Sequence, residues 1–477
     1  MTPEEFKVYG YFLTDWIENF YRNIRNYPVK SSVKPREIFE NLPDTIPNEP
    51  EPFNLIFKDF EHTILQGLTH WQHPRFFAYF PANTSFSSIL GEYLTSALGV
   101  QAMMWLTSPA AAELEEKMIV WLRDALGISK EFTGCIQDTA STSTLVSILT
   151  AREKASNFNI NKYGFNHSYK YTVYCSTEAH SSIEKAVKIA GIGSENLRKI
   201  PVDKNFSMRA DLLEHKIQDD ISKGFQPLCV IGALGTTGST AIDPLEKIGE
   251  IAQKYNIWYH IDGAMVGSAL ILPEFKHLVD GINLADTFVF NPHKWLFTNF
   301  DCSIYFIKNK ELLIQTLQIT PPYLQTDVDN LVNNYRDWGI QLGRRFRALK
   351  LWFVLRSYGL SGLMNKLRFH LNLANQLKDL IEQDFRFELL APSNFTTICF
   401  RFKPKNLSEE EINVINKKLL EEINSSGFAF LSHTILNEKF AIRFSIGQTN
   451  TQLEDVLETW NLIQKVAERI EKNGTQT

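Results

Sequence analysis

Thr287-Phe-Val-Phe-Asn-Pro-His-Lys-Trp295 combines an apolar run of four residues with a polar turn that follows it directly. Similar short runs, apolar on both faces, alternate with helix-like segments from about Gly91 to Tyr358. Strands of this kind are typical of a largely parallel sheet covered by helices. We therefore predict an α/β domain, whose other strands include Thr133–Ile136, Tyr171–Cys175, Leu228–Leu234 and Ile257–Ile261.

The segments on either side of this domain have different patterns. From Glu4 to Arg25, apolar residues recur every three or four positions, which predicts an amphipathic helix. Six prolines between Pro28 and Pro52 predict an extended segment. After Gly362, a helix-like stretch and two alternating runs predict a small α+β domain. The predicted parts are an N-terminal helical and extended segment (1–85), a large α/β domain (86–361) and a small C-terminal α+β domain (362–477).

Composition excludes several classes of protein. The 477 residues are 44% hydrophobic and 22% charged, as in an ordinary globular protein. A net charge of -5 without a basic stripe gives no reason to expect nucleic acid as a partner. The sequence has neither a signal-peptide pattern nor the roughly 20 consecutive apolar residues that span a membrane. Its five cysteines are scattered, without a C-x-x-C pair, so we expect reduced thiols, a cytoplasmic location and no metal site.

Polar and small residues follow each predicted strand, at the edge of the sheet where ligands bind in open α/β folds. Ala140 and Ser141 open a predicted helix in a hydroxyl-rich loop, which suits a phosphate because helix N-termini attract anions. The alternative is an ordinary Ser/Thr helix cap. The loop is therefore a candidate phosphate site.

Three titratable residues occupy equivalent strand-end positions. Asp262 precedes Gly263 and Ala264 and could keep a pyridinium nitrogen protonated, or it could cap the next segment. His180 could stack on a flat ring, although a single histidine is often structural. Lys294 could react as an amine if burial lowers its pKa, or its side chain could simply extend to solvent.

Taken together, these residues belong to a longer series of motifs through which the chain resembles the pyridoxal-phosphate-dependent aromatic-L-amino-acid decarboxylases, group II enzymes of fold type I. The resemblance covers about Phe6 to Ala467. It rests on Thr69-His-Trp71, Phe76-Phe-Ala-Tyr-Phe-Pro81, Trp105-Leu-Thr-Ser-Pro109, Ala179-His-Ser-Ser182, Leu234-Gly-Thr-Thr237, Asn291-Pro-His-Lys-Trp295, Asn299-Phe-Asp-Cys302 and Leu342-Gly-Arg-Arg-Phe-Arg347. Several long motifs in the same order are more specific than any one of them.

The resemblance implies pyridoxal 5'-phosphate as the cofactor and gives each candidate a role. Lys294 would be the Schiff-base lysine, Asp262 the partner of the pyridinium and His180 the ring-stacking residue. Tyr323 would be the mobile-loop tyrosine that protonates the substrate carbon, where aldehyde-forming relatives usually have Phe. The remaining cofactor contacts would come from Ala140, Ser141 and Asn291 at the phosphate and from Thr237, Ala264 and His293 along the ring.

The resemblance also implies an amino-acid substrate and a homodimer with shared active sites, in which residues 1–85 take part in dimerisation. The substrate pocket would contain Trp71, Tyr79, Phe80, Pro81 and Ala82, with Gln101 and Met103 from the neighbouring subunit. Ala82 replaces a threonine of animal relatives, which implies weaker preference for catechols. Gly343 replaces a serine of some phenol-selective plant relatives, which leaves room for an indole. Tryptophan, phenylalanine, tyrosine and DOPA all remain candidate substrates.

The alternative functions fall into three groups. The chain could be an aldehyde-forming oxidative decarboxylase, but Tyr323 favours simple decarboxylation. It could act on histidine or an acidic amino acid or be an aminotransferase, although no arginine occupies the pocket positions where an acidic substrate would need one. A non-catalytic binding protein is disfavoured because Lys294, Asp262 and Tyr323 are all present.

Overall fold

The computed structural model describes residues 1–165, 169–319 and 331–474. The chain divides into two compact units. The first unit contains Met1–Pro81, Asp379–Glu388 and Phe400–Thr477, and the second contains Ala82–Lys378 and Leu389–Cys399. The division into three parts at residues 85 and 361 stays a prediction.

Helices account for much of both units. The α-helices are α1 (Pro3–Arg22), α2 (Glu37–Asn41), α3 (Phe53–Asp59), α4 (Phe86–Leu98), α5 (Pro109–Leu126), α6 (Ala140–Ala155), α7 (Asn159–Tyr163), α8 (Ser182–Ile189), α9 (Ala210–Ser222), α10 (Leu245–Lys254), α11 (Val279–Asn283), α12 (Pro292–Trp295), α13 (Lys310–Leu317), α14 (Arg347–Gln383), α15 (Glu409–Ser425) and α16 (Leu453–Gly474). Among the described residues, no helix has the length and apolar composition that a bilayer-spanning segment requires.

The strands form two sheets. They are β1 (Phe76–Phe77), β2 (Thr133–Gln137), β3 (Tyr171–Ser176), β4 (Leu197–Ile200), β5 (Gln226–Ala233), β6 (Trp258–Asp262), β7 (Thr287–Phe290), β8 (Ser303–Ile307), β9 (Phe387–Leu389), β10 (Thr397–Phe402), β11 (Phe430–Leu436) and β12 (Lys439–Ser445). The larger sheet has seven strands in the order β2-β8-β7-β6-β5-β3-β4, and the smaller has five in the order β1-β11-β12-β10-β9.

The larger sheet confirms the predicted α/β fold. Strands β4, β3, β5, β6 and β7 run parallel, while β8 is antiparallel to both β7 and β2. All four residues of β7 are buried, as are the first four of β6. This two-sided burial explains why these strands are apolar throughout, and it places their carboxyl ends side by side.

Two segments can be compared with the sequence-based expectation. The helix-like stretch predicted after Gly362, residues 367–384, lies in the second part of α14, which spans Arg347–Gln383 and is broken at Gly359, with φ 63° and ψ 167°. The proline-containing segment expected to be extended includes the short helix α2. Pro35 and Pro43 flank α2 and do not interrupt it, so the prolines limit helix length without excluding short helices.

The N-terminal helix α1 is present, with a capping box between Thr2 and Glu5. None of its residues is buried in the chain, and Phe6 is 50% exposed. Its aromatic side chains instead pack along α3, with the rings of Tyr9 and Phe53 stacked at 4.3 Å. The predicted apolar stripe therefore exists but stays partly open to solvent.

Candidate active site

The candidate site of the second unit is built on the carboxyl ends of neighbouring parallel strands. Lys294 lies in the single turn of α12, directly after β7, and is half-buried. Its backbone N–H donates to the Asn291 carbonyl at 2.9 Å, and its carbonyl accepts from Asn83 Nδ2 at 2.6 Å. Asn83 also donates its backbone N–H to the His293 carbonyl at 2.8 Å. This segment is therefore held from both sides.

His180, Asp262 and Lys294 are brought together. His180 follows β3, Asp262 ends β6, and the sheet order places both near the turn that carries Lys294. Burial lowers the pKa of His180; the Asp262 carboxylate acts in the opposite direction, and the Lys294 ammonium lowers the pKa further. The His180 imidazole therefore interacts electrostatically with both Asp262 and Lys294, as expected if the three groups face one ligand.

The tautomer of His180 follows from its contacts. Its Nδ1 atom accepts the backbone N–H of Ser182 at 3.1 Å and lies 2.7 Å from the Ser182 hydroxyl. A ring nitrogen that accepts a backbone N–H cannot carry a proton, so the proton of the neutral ring is on Nε2. The Nε2–H group is the side of the ring that can donate to a ligand.

The two carboxylate oxygens of Asp262 have different surroundings. Oδ1 accepts the backbone N–H of Ala264 at 3.0 Å, which is the capping role considered as the alternative. In the described part of the chain, Oδ2 accepts no hydrogen bond. The capped carboxylate is thus oriented while one oxygen stays available to a protonated ring nitrogen. The Ala264 carbonyl accepts from the Asn291 N–H at 2.8 Å, which joins the two strand ends.

The phosphate loop has the geometry of an anion site. Thr139 is the N-cap of α6, and its side chain accepts from the Thr142 N–H at 3.4 Å. Ala140 and Ser141 are the first two helical residues, and their N–H groups donate to no other described residue. The cap is therefore one residue earlier than the candidate pair, which leaves those two N–H groups for a ligand.

Asn291 has a buried side-chain atom without a partner. The residue is 2% exposed, and its Oδ1 position has no hydrogen-bond partner among the described residues. Buried amide groups are almost always hydrogen-bonded in proteins. Rotating this amide by 180° places the Nδ2 donor at the same position, which together with the open N–H groups of α6 fits a phosphate-bearing cofactor.

Two further predicted cofactor residues lie at strand ends. Thr237 is half-buried in the turn after β5. His293 is 3% exposed, and its Nδ1 accepts the Cys302 N–H at 3.0 Å. Burial, reinforced by the Lys294 charge, lowers the pKa of His293 to about 3. The ring is therefore neutral at physiological pH.

The predicted pocket residues before residue 82 belong to the first unit. The rings of Trp71 and Tyr79 stack at 5.8 Å with an interplanar angle of 14°. Tyr79 has φ 55° and is 51% exposed, whereas Phe80 and Pro81 are buried. The structure therefore presents an aromatic cluster around Tyr79. Ala82 begins the second unit and is half-buried.

Of the other predicted pocket residues, Gln101 and Gly343 lie side by side in the second unit, whereas Met103 contacts Arg336. Gln101 Oε1 accepts the Arg344 N–H at 2.6 Å, and the Met103 carbonyl accepts the Arg336 N–H at 2.7 Å. A Cβ atom added to Gly343 would lie 3.2 Å from Gln101 Nε2. The space that glycine leaves is therefore bordered by an amide group.

Tyr323 lies outside the described residues, so its role stays a prediction from the sequence. Two structural contributors were not predicted. Asn83 holds Lys294 from a position 211 residues away, and no local pattern marks it. His260 is a fully buried histidine within β6. A polar residue inside an apolar strand could have indicated a structural or functional role.

Comparison with known proteins identifies a family. Residues 35–403 match the model of the pyridoxal-dependent decarboxylase conserved domain. The chain is 41% identical to tyrosine decarboxylase 4 of Petroselinum crispum, over 98% of this chain and 94% of the relative. It is 40% identical to phenylacetaldehyde synthase of Arabidopsis thaliana, over 98% and 96%.

A solved structure agrees with these sequence matches. The crystal structure of Catharanthus roseus tryptophan decarboxylase in complex with L-tryptophan is similar with a TM-score of 0.93 and 38% identity. The similarity covers 98% of this chain and 99% of that chain. The likeness therefore extends over both units and the termini.

Proposed function

The chain belongs to the pyridoxal-dependent decarboxylase family, and we propose that it converts an aromatic L-amino acid to the arylalkylamine and carbon dioxide. The observation that carries the proposal is the convergence of Lys294, Asp262 and His180 at neighbouring strand ends. When bound, the protonated pyridine ring of the cofactor takes up the electron pair that the departing carboxylate leaves.

The chain's own residues have distinct tasks in this site. The Lys294 amine would hold the cofactor covalently, and Oδ2 of Asp262 would keep the ring nitrogen protonated. The N–H groups of Ala140 and Ser141, with the Asn291 amide, would hold the phosphate. Thr237, Ala264 and His293 would line the ring.

Two residues would act on the substrate. His180 would donate its Nε2 proton to the substrate carboxylate and fix its orientation, since Nδ1 is engaged by Ser182. Tyr323 would deliver a proton from its phenol to the substrate carbon, as the sequence predicts.

The aromatic substrate class is supported by both the relatives and the residues. The relatives named above act on aromatic amino acids or are named for an aromatic aldehyde, and the first unit presents the Trp71–Tyr79 stack. Apolar aromatic walls favour aromatic side chains because ring contacts add to the apolar area buried. The individual substrate contacts stay those that the sequence resemblance implies: Trp71, Tyr79, Phe80, Pro81, Ala82 and Gly343, with Gln101 and Met103 from the neighbouring subunit.

A homodimer in the cytosol completes the proposal. The exposed apolar side chains Phe6, Tyr11 and Phe12 of α1 would be covered by a second copy of the chain. All five cysteines are free and buried, which suits a reducing compartment. Light scattering of the purified protein should give twice the mass of the chain, and a monomer would contradict the proposed shared active sites.

The decisive experiment offers the cofactor-loaded protein each L-amino acid separately and identifies the products by mass. We expect one or more aromatic amino acids to lose the mass of carbon dioxide and no other group. Turnover confined to histidine or acidic amino acids, or formation of keto acids, would overturn the proposal.

Lys294→Ala tests the cofactor lysine. We expect this variant to lose the visible absorbance band of the lysine-bound cofactor together with decarboxylation. Lys185→Ala is the matched control, because Lys185 also lies near enough to affect His180 but is exposed and has no proposed role. A band that persists in Lys294→Ala would refute the assignment.

A second candidate is oxidative conversion to the aldehyde, which the 40% identity to a phenylacetaldehyde synthase favours. That reaction consumes oxygen and water and releases the aldehyde, carbon dioxide, ammonia and hydrogen peroxide. The residue at position 323 distinguishes amine formation from aldehyde formation. The phenol of Tyr323 can donate a proton to the substrate carbon, which yields the amine, whereas phenylalanine cannot. We expect Tyr323→Phe to divert turnover from amine to aldehyde and peroxide, and an unchanged amine yield would contradict this role.

A further inference from the structure

His260 lies at the centre of a buried polar chain that connects three of the elements of the proposed cofactor site. The residue is 0% exposed and sits in β6, two positions before Asp262. Its Nε2 lies 3.2 Å from Thr144 Oγ1 in α6, and its Nδ1 lies 2.9 Å from Thr287 Oγ1 in β7. One side chain therefore bridges β6, β7 and α6.

The chain continues beyond the histidine. Thr287 Oγ1 lies 2.8 Å from Ser147 Oγ in α6, and Ser147 Oγ accepts the indole N–H of Trp258 at 2.9 Å. An indole nitrogen can only donate, so Ser147 accepts from Trp258. The hydroxyls of Thr144 and Thr287 can each donate or accept, so both ring nitrogens of a neutral His260 have a hydrogen-bond partner.

Each bridged element carries a different part of the proposed site. Helix α6 begins with Ala140 and Ser141, β6 ends at Asp262, and β7 leads into Asn291 and Lys294. The hydrogen bonds of His260 therefore fix the phosphate loop relative to the partner of the ring nitrogen and to the lysine. Burial holds the pKa of His260 at about 4, against the attraction of Asp262, so the bridge is uncharged at neutral pH.

We propose that His260 is a positioning residue for the cofactor: neutral and hydrogen-bonded at both nitrogens, it keeps the helix of the phosphate loop in register with the strands of Asp262 and Lys294. The inference rests on the proposed function, because it assumes that these residues hold pyridoxal phosphate. His260 itself would touch neither cofactor nor substrate.

The test measures the dissociation constant of pyridoxal phosphate from the apoprotein, and the visible spectrum of the reconstituted protein. His260→Phe keeps an aromatic ring but removes both hydrogen bonds, and we expect the dissociation constant to rise about 10- to 100-fold, as when an outer partner of a metal ligand is removed. His260→Gln can hydrogen-bond at both ends of its amide, so we expect affinity closer to that of the wild type.

Tyr259→Phe is the matched control for lost stability. Tyr259 precedes His260 in β6, is 1% exposed and donates its hydroxyl to the Leu245 carbonyl at 2.9 Å, on the opposite face of the strand. Removing that hydroxyl deletes a buried hydrogen bond from the same strand outside the chain of His260. We expect its dissociation constant and spectrum to match the wild type.

Thr144→Val covers the case in which His260→Phe does not fold, because it deletes the contact from the helix side. We expect it to weaken cofactor binding in the same direction. Wild-type affinity in both His260→Phe and Thr144→Val, or an equal loss in Tyr259→Phe, would overturn the inference. Failure of the wild-type protein to bind pyridoxal phosphate would instead contradict the proposed function.

Discussion

At the residue scale, Gly343 lies beside Gln101, and both residues are predicted to contact the substrate. A side chain at position 343 would meet the amide of Gln101, whose Oε1 accepts the Arg344 N–H. Gln101 Nε2 is a donor, and in the described part of the chain it has no hydrogen-bond partner. A substrate hydroxyl or indole that entered here would therefore meet a polar group rather than an empty space.

Gly343→Ser should reduce the use of a wide ring more than that of a narrow one. The new Cβ would lie 3.2 Å from Gln101 Nε2, which is closer than ordinary contact, so the amide must shift by a few tenths of an ångström. We expect kcat/KM for L-tryptophan to fall about tenfold relative to that for L-tyrosine, since a change of one small group in a pocket has effects of this size. Steady-state kinetics with both substrates measure the ratio.

Gln101→Ala in the Gly343→Ser background separates the two causes. If displacement of the amide causes the loss, shortening Gln101 should restore most of the use of L-tryptophan. If the ratio stays low, the serine itself excludes the ring. A Gly343→Ser variant with an unchanged ratio would show that this wall does not contact the substrate ring.

At the element scale, a buried ion pair joins α5, β2 and the segment before α14. Arg344 donates to both carboxylate oxygens of Glu115, at 2.7 and 3.1 Å, and to the Ile136 carbonyl at 2.7 Å. Glu115 also accepts the Ile136 N–H at 2.8 Å. The pair thus fixes the strand that leads into the phosphate loop.

Glu115→Ala should be strongly destabilising, because it leaves the Arg344 guanidinium buried without its counter-charge. We expect a loss of about 3–5 kcal/mol in the free energy of unfolding, measured by urea denaturation of the apoprotein. Glu116→Ala is the control, since this exposed neighbour in α5 should change the same quantity by less than about 0.5 kcal/mol. Similar losses in the two variants would contradict the structural role of the pair.

The break in α14 gives a second prediction at this scale. Gly359 has φ 63° and ψ 167°, a conformation that is essentially confined to glycine, whereas Gly362 is helical and a Cβ there would meet Tyr358 at an ordinary 3.6 Å. Gly359→Ala should therefore cost about 1–3 kcal/mol of unfolding free energy. Gly362→Ala should add about 0.5–1 kcal/mol, because alanine favours the helix. Effects of the same sign would argue against the break.

At the scale of the whole molecule, the sequence pattern predicted those strands whose burial on both faces makes them apolar throughout. Thr287–Phe290 is a strand at the predicted residues because two-sided burial makes it apolar throughout. Leu197–Ile200 was not among the predicted strands, since Arg198 and Lys199 interrupt its apolar character. The positions of Asp262, at the end of β6, and Lys294, in the turn after β7, could be predicted because polar residues at strand ends interrupt an apolar run.

The contacts that support those candidates could not be predicted in the same way. Asn83 reaches Lys294 across 211 residues, and Gln101 reaches Arg344 across 243 residues. Such pairs depend on how the elements pack, which periodicity does not specify. Glu115 and Arg344 likewise have no local signal that distinguishes them from surface charges, although both are buried.

Buried histidines make the stability of the whole apoprotein sensitive to acid. Burial is the largest cause that lowers the pKa of His73 to about 3, of His260 to about 4 and of His293 to about 3. An unfolded histidine has a pKa near 6.5, so between about pH 4 and 6.5 the unfolded chain binds more protons than the folded one. Each histidine thus makes stability rise with pH in that window.

Asp243 acts in the opposite direction. Burial raises its pKa to about 7, so the folded state binds more protons than the unfolded state between about pH 4 and 7, and the contribution of this group is lost as pH rises through 7. Each group changes stability by at most about 1.4 kcal/mol per pH unit, and three histidines outweigh one carboxyl. We therefore expect the apoprotein to be less stable at pH 5 than at pH 7 by several kcal/mol in urea denaturation.

Two variants test the cause of this pH dependence. Asp243→Asn should increase the loss of stability between pH 7 and pH 5, and His260→Gln should decrease it. Equal stability of the wild-type apoprotein at the two pH values would contradict the neutral, buried state of these histidines.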